Sequence, residues 1–474
     1  AKTLVIGTDD GLLQRTTDGG ATWTNITPAA AGDGLVNEIE LSPHDANTIY
    51  VAFRKDRVGD PTPHLFRSTD AGRTWTRHVE GLRAGEPVRV VREDPMARGV
   101  LYAGTETGAY YSVDNGANWL PFSGLPKVPV TDLDVRHGDL IAATEGRAFW
   151  ILDDIVPLRQ HGAEVANAEA HLYAPRAAIL VQGGGGGGGG GAARVGANPP
   201  NGAVIQYRLA KADSSTRVTI EILNAGGTVL RTFTSGGTGP GARPSTRVGI
   251  NRFVWDLRYA GPTTLPNVNL FGSPGGGAGP RVTPGRYQVR MTVGSITQTH
   301  PLEVLPDPRL APVSPGVLAQ RDSIARQLSD RLSEMSNAVL RLRDFKSQVG
   351  GIITRTATHE MADTIAANGR GVTRTIDGLE PRLTTKAANG QDIINYANGI
   401  NGQFGFLLGQ VEGHPELTTM VRERMVEVEA QWSALRAQLE AFERNELAAF
   451  NRLLDRAGVP GVIIPAPKRP SPIM

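Results

Sequence analysis

The sequence predicts a multidomain fold, mainly β plus α: a partial β-propeller, then an antiparallel β-sandwich, then a C-terminal bundle or hairpin of helices. Three observations predict it. One turn motif recurs in the first third of the chain at Thr16–Trp23, Ser68–Trp75 and Ser112–Trp119, each reading hydroxyl, any residue, Asp, any, Gly, any, Thr or Asn, Trp. Short alternating strands separated by glycine-rich turns fill residues 203–308. From residue 313 the apolar residues recur at spacings of 3 and 4, the period of an amphipathic helix. A chain of 474 residues is also too long for one ordinary core.

The turn motif reads as a folding staple. Asp18, Asp70 and Asp114 can accept amide hydrogen bonds within their own turns, Gly20, Gly72 and Gly116 supply a positive φ, and Trp23, Trp75 and Trp119 pin the following strand to the core. Each copy closes a β-hairpin. Upstream lies a strand of one character, Thr3 to Thr8, Thr48 to Phe53, Val100 to Thr105 and Asp139 to Thr144, and before the later copies another, Val36 to Leu41, Val88 to Arg92 and Val130 to Val135. The motif tryptophans stand 52 and 44 residues apart, a period that suits a four-stranded propeller blade. Residues 1–157 are therefore expected to form three to four blades, the first lacking an inner strand and the last running out after three. So short an arc does not close a ring. The expectation is that other blades complete it, from a second chain or a removed N-terminal region, and that this chain is the C-terminal part of something larger.

Residues 158–202 read as a linker whose nine-glycine run, Gly183 to Gly191, is a flexible loop. No Lys-Ser or Lys-Thr follows those glycines and no helix opens there, so they do not read as a phosphate cradle. In 203–308 the strands Ala203 to Leu209, Arg217 to Phe233 as a hairpin, Asn251 to Tyr259, and Gly285 to Val304 as a second hairpin make the sandwich. In 313–457, Ala325, Leu328, Leu332, Met335, Val339 and Leu342 stripe one long helix, expected to end at Gly350-Gly351. Val421, Met425, Val428, Trp432, Leu435, Leu439 and Phe442 stripe another. Weaker helices are expected at Thr358 to Ala367 and Gln391 to Val411, with the two long helices packed antiparallel. The proline-rich tail, 458–474, reads as an extended strap or a mobile end.

Composition narrows the chemistry. Lys and Arg number 49 against 47 Asp and Glu, so no global field points to nucleic acid. Cysteine is absent, which excludes disulfides and thiolate chemistry within the chain, and no apolar run approaches a membrane span. The nine histidines contain no His-Glu-x-x-His pattern. No cofactor is expected, with calcium left open at Asp9-Asp10 or Asp56 to Asp60, neither of which matches a twelve-residue calcium loop. The candidate catalytic residues are Asp132, Asp134 and Glu145. Asp132 and Asp134 lie two apart on an inner strand and so share a face, where a further carboxylate about 5 to 9.5 Å away across the channel could support glycoside hydrolysis. Solvated strand-edge carboxylates are the simpler reading. Asp153 and Asp154 with Arg147 are expected to join the last blade to the sandwich.

The turn motif resembles the Asp-box, or bacterial neuraminidase repeat, shared by sialidases, xyloglucanase-type glycoside hydrolases and the sortilin-type receptor propeller. With Gly146 to Asp154, Asn251 to Arg258 and the helical end, the order of parts is similar to bacterial exported proteins of the sortilin-like or glycosyl hydrolase group. The resemblance implies an immunoglobulin-like module for the sandwich and an extracytoplasmic place, periplasmic, cell-surface or secreted. It does not carry over an activity, because neither the arginine triad of a sialidase nor the paired aspartates of a xyloglucanase can be placed. Two expectations follow: a noncatalytic binding or assembly protein with a protein or polysaccharide ligand, or the C-terminal portion of a glycoside hydrolase acting on polysaccharide.

Overall fold

The computed structural model describes residues 2–181, 199–237, 242–266, 277–384, 399–414 and 416–464. The expected glycine loop lies outside these residues, as do the start of the helix expected at Gln391 and the end of the tail. The described residues make a mixed β and α fold of several antiparallel sheets followed by a helical region.

Four antiparallel meanders come first. They are β1 (Leu4–Gly7), β2 (Leu13–Thr16) and β3 (Thr24–Asn25); β4 (Leu35–Leu41), β5 (Ile49–Lys55), β6 (Asp60–Ser68) and β7 (Thr76–Arg77); β8 (Val88–Glu93), β9 (Leu101–Thr105), β10 (Gly108–Ser112) and β11 (Leu120–Pro121); and β12 (Val130–Arg136), β13 (Asp139–Thr144) and β14 (Ala148–Leu152). The second strands explain why the sheets stack. In β5, Ile49, Val51 and Phe53 pack with Leu13 and Ile26 of the first sheet, while Tyr50 and Ala52 pack with Val88, Val91 and Leu101 of the third. Alternate residues thus bury both faces. Val90 and Tyr102 repeat this toward Val130, Leu133 and Leu140 of the fourth sheet. Gly104 sits where a Cβ would meet the Val130 carbonyl at 2.7 Å, so β12 can lie close on β9. The first strands β4, β8 and β12 run side by side on the inner side of the arc. Each carries a register shift at the same place, at Asn37, Arg89 and Thr131. This repeated meander is a propeller-type arrangement.

Short helices α1 (Val156–Arg159) and α2 (Ala163–Asn167) lead into two sheets that enclose one core. One sheet has the order β15 (Ala170–Leu172), β17 (Ala203–Leu209), β20 (Gly249–Trp255). The other runs β16 (Ala178–Leu180), β22 (Ile296–Pro306), β21 (Gly285–Val293), β18 (Val218–Asn224), β19 (Val229–Thr234). Residues 170–180, expected as linker, therefore supply an edge strand to each sheet. β16 pairs parallel to β22, in a sandwich expected to be wholly antiparallel.

The helical part corrects two expectations. Helix α3 (Pro315–Arg355) runs through Gly350-Gly351, because Val349 and Ile352 on either side continue its buried stripe. That burial outweighs a glycine cost of roughly 1 kcal/mol each. Helices α4 (Ala362–Leu383) and α5 (Ile400–Gly413) then form one descending leg: Arg343 meets Glu380 near the middle of α3 and Arg321 meets the Val411 carbonyl near its start. Helix α6 (Thr419–Phe442) ascends and continues through a π-turn (Glu443–Leu447) into α7 (Ala448–Arg456). Its contacts climb in step with α3: Arg422 to Gln320, Glu429 to Arg331, Trp432 to Glu334 and Glu443 to Arg341. The two long helices are thus parallel, not antiparallel, since the intervening leg reverses the chain twice. Their stripes close on each other and on α4 and α5 in one core.

Candidate functional site

The three turn motifs repeat one hydrogen-bond pattern. In the second copy Ser68 Oγ donates to Asp70 Oδ1 at 2.8 Å, the Thr74 amide donates to Oδ1 at 2.9 Å and Thr74 Oγ1 donates to Oδ2 at 2.7 Å, while the Gly72 amide donates back to Ser68 Oγ at 2.8 Å. Asp18 and Asp114 do the same with Thr16 and Thr22, and with Ser112 and Asn118. Thr22 holds the Asp18 carboxyl well below the usual range, and the Thr74 amide and hydroxyl hold Asp70 down to about 2. These oxygens are engaged inside their own turns.

The tryptophans differ by position. Trp119 Nε1 donates to the His78 carbonyl and Trp75 Nε1 to the Ile26 carbonyl, so each ties its sheet to the loop that ends the sheet before. A Cβ on Gly72 would stand 2.7 Å from the Ile26 side chain, which fixes the same contact sterically. The sequence reading has each tryptophan pin the following strand to the core; the structure makes Trp75 and Trp119 inter-sheet latches as well. Among the described residues Trp23 donates only to the Gly20 carbonyl in its own turn, and it is 38% exposed, against 2% for Trp119. At the other end β14 is exposed along its whole length. Phe149 is 76% and Ile151 60% exposed, and their β13 partners Ala143 and Ile141 are half-buried on that face. The arc therefore ends in two uncovered apolar surfaces.

Between those ends the inner strands carry an ionic network that sequence reasoning missed. Arg92 of β8 reaches Glu38 and Glu40 of β4 on one side, the latter at 3.6 Å, and Asp132 of β12 at 2.9 Å on the other. Its Nε also donates to the Leu133 carbonyl. Burial pushes Glu38 up and raises Glu40 to about 7, although Glu40 accepts from the Glu93 amide. A second chain of pairs runs from Asp56 through Arg54, Glu106 and Arg89 to Glu145, with Arg89 forked on Glu106 at 2.7 and 3.0 Å and 3.4 Å from Glu145. The signal was present: once the shared bulge is allowed for, Glu38, Val90 and Asp132 are equivalent, as are Glu40, Arg92 and Asp134.

Asp132 and Asp134 do share a face, opposite Ala143 and Ile141. Asp134 is taken by Arg136 at 2.8 Å, and Glu145 stands apart in the second network. Asp60 is held by Thr62 and His64, and Asp56 by Arg54. Among the described residues no cluster of three His, Asp or Glu side chains could hold a metal ion, and no helix is long and apolar enough to cross a membrane. The junction to the sandwich uses Arg176, not Arg147: Arg176 pairs with Asp139 at 2.7 Å and approaches Asp154 at 4.0 Å.

No protein-family model matches the chain, and no curated protein is similar to it. Solved structures of other proteins are similar to part of the chain. YCF48 bound to a D1 peptide shares 19% identity over 32% of this chain and 48% of that one, with a TM-score of 0.26. YCF48 from Cyanidioschyzon merolae shares 17% over 32% and 49%, also at 0.26. The GH74 xyloglucanase from Xanthomonas campestris shares 14% over 63% of this chain and 43% of its own, at 0.27. The chain spans about half the length of these structures or less.

Proposed function

We propose that this chain is a noncatalytic binding and assembly protein, built on a sortilin-like Asp-box propeller whose ring is completed by blades outside residues 1–474. The immunoglobulin-like sandwich and the helical bundle form its C-terminal arm, and the assembled ring takes a protein or polysaccharide ligand outside the cytoplasm of a bacterium. The observation that carries the reading is the pair of uncovered ends. Trp23 presents to solvent the indole that Trp75 and Trp119 use to latch a preceding sheet, and β14 offers the apolar face and free edge on which a following blade would stack. Hydrogen exchange tests it: the β14 amides should exchange freely in this chain alone and be protected in the native particle. Phe149→Asp with Ile151→Asp should block that protection without lowering the melting temperature of the chain, since both side chains are exposed. Equal, fast exchange of β14 in both samples would sink the proposal.

A second reading, the C-terminal portion of a glycoside hydrolase, draws on Glu40, a carboxyl raised to about 7 beside Glu38 and Asp132. Against it, Arg92 binds all three. Release of reducing ends from polysaccharide by the native particle, abolished by Glu40→Gln with the fold intact, would favour this reading instead.

A further inference from the structure

Where the sandwich meets the bundle, a cavity of about 150 Å³ opens between residues 281–284 and 306–313 on one side and α3 with the end of α5 on the other. Val282, Leu310, Val313 and Leu318 make much of its wall apolar. Its charged groups are unevenly matched. Each carboxylate on the wall already has a cation: Glu412 faces Arg258 at 3.2 Å and accepts from the Arg281 amide at 2.6 Å, Asp322 faces Arg326 at 2.8 Å and accepts from the Tyr259 hydroxyl at 2.7 Å, and Asp307 faces Arg309 at 2.8 Å. Among the described residues the two arginines of the wall have no such partner. Arg321 spends only its Nε, on the Val411 carbonyl at 3.3 Å, and the Arg281 guanidinium makes no hydrogen bond or ion pair among the described residues. Burial lowers the Arg321 pKa; Glu412 works against this, and the neighbouring Arg281 adds to it. Two half-buried guanidiniums beside an apolar hollow form an incomplete ionic set that one anion would complete.

We infer that this cavity binds a small carboxylic acid with a compact apolar body, the carboxylate held by Arg281 and Arg321 and the body seated against Val282, Leu310 and Leu318. A forked guanidinium suits a carboxylate in two parallel hydrogen bonds. An apolar cavity of about 150 Å³ has room for a single ring. The site lies at the seam between sandwich and bundle, so its occupant would touch both. It stands independently of how the propeller ring is completed.

The test is calorimetric titration of the whole chain with benzoate, and with benzyl alcohol as the neutral molecule of the same shape. Benzoate should bind at least tenfold more tightly than benzyl alcohol. Arg281→Gln and Arg321→Gln should each weaken benzoate at least tenfold with little effect on benzyl alcohol, and Arg321→Lys should fall between. Val313→Phe, which narrows the cavity from a half-exposed wall position, should weaken both molecules. Circular dichroism melts of each variant without ligand identify any that misfold, and Arg281, whose guanidinium makes no bond among the described residues, gives the variant expected to leave the fold intact. Failure of benzoate to bind, equal affinity for benzoate and benzyl alcohol, or unchanged benzoate affinity in folded Arg281→Gln would overturn the inference.

Discussion

Asp70 shows what one residue of the repeated turn does. Its two oxygens accept three hydrogen bonds from Ser68 and Thr74, all within its own turn. Asp70→Ala should therefore lower the melting temperature of the arc, while ligand binding per folded molecule survives; unchanged melting with lost binding would reverse that assignment. The Thr74 bonds hold the Asp70 pKa below its ordinary 3.8, so this stabilisation is present above pH 4 and is lost as pH falls toward 2. Glu40 has the opposite sign. Burial raises it from 4.5 to about 7, so the folded state binds its proton more tightly than the unfolded state does. Its contribution is then greatest below pH 4.5 and declines as pH rises to 7, by on the order of 2 to 3 kcal/mol for a side chain this poorly exposed. Urea denaturation at pH 5 and pH 8 should show that decline in the wild type and a smaller one in Glu40→Gln.

At the scale of the element, the bundle rests on stripes that were plain in the sequence. Trp432 is 2% exposed, shares a core with Leu332, Met335 and Leu435, and donates its indole N–H to Glu334 at 3.1 Å. Trp432→Ala should cost about 3 to 5 kcal/mol in chemical denaturation, where a solvent-facing position would cost less than about 0.5. Periodicity gives the face of a helix but not its direction, which is why the parallel run of α3 and α6 was not legible. Direction depends on α4 and α5 lining up as one leg, and that follows from tertiary packing rather than from any local signal. Glycine breakers misled for a related reason: Gly350-Gly351 is a weak stop when the residues on both sides have a core to enter. In the arc the turn motif disclosed the hairpins and their period. It did not by itself disclose the Glu38, Arg92 and Asp132 cluster, because those residues come from three repeats and meet only when the inner strands β4, β8 and β12 are laid side by side.

The whole molecule is joined by buried ion pairs at its seams. Where α1 packs on the arc, Asp94 is fully buried and accepts from Arg159 of α1 at 2.8 Å and from the Tyr102 hydroxyl at 2.9 Å, and between arc and sandwich Gln206 of β17 donates to the Asp154 carbonyl. Between sandwich and bundle, Glu412 grips Arg258 and the Arg281 amide, and Tyr259 donates to Asp322. An ion pair of this kind adds little over an apolar contact of the same shape, but losing one partner strands the other in low dielectric and costs about 3 to 5 kcal/mol. For Glu412 the penalty falls on the seam, because the cores on either side remain filled. Glu412→Ala should therefore uncouple the bundle from the sandwich, splitting calorimetric unfolding into two transitions where the wild type shows them merged. Asp94→Ala, which removes bonds inside the arc and to α1, should lower the arc's own transition instead and leave the sandwich and bundle melting together. If both variants lowered one common transition equally, the seams would be no weaker than the cores, and the three parts would be a single cooperative unit.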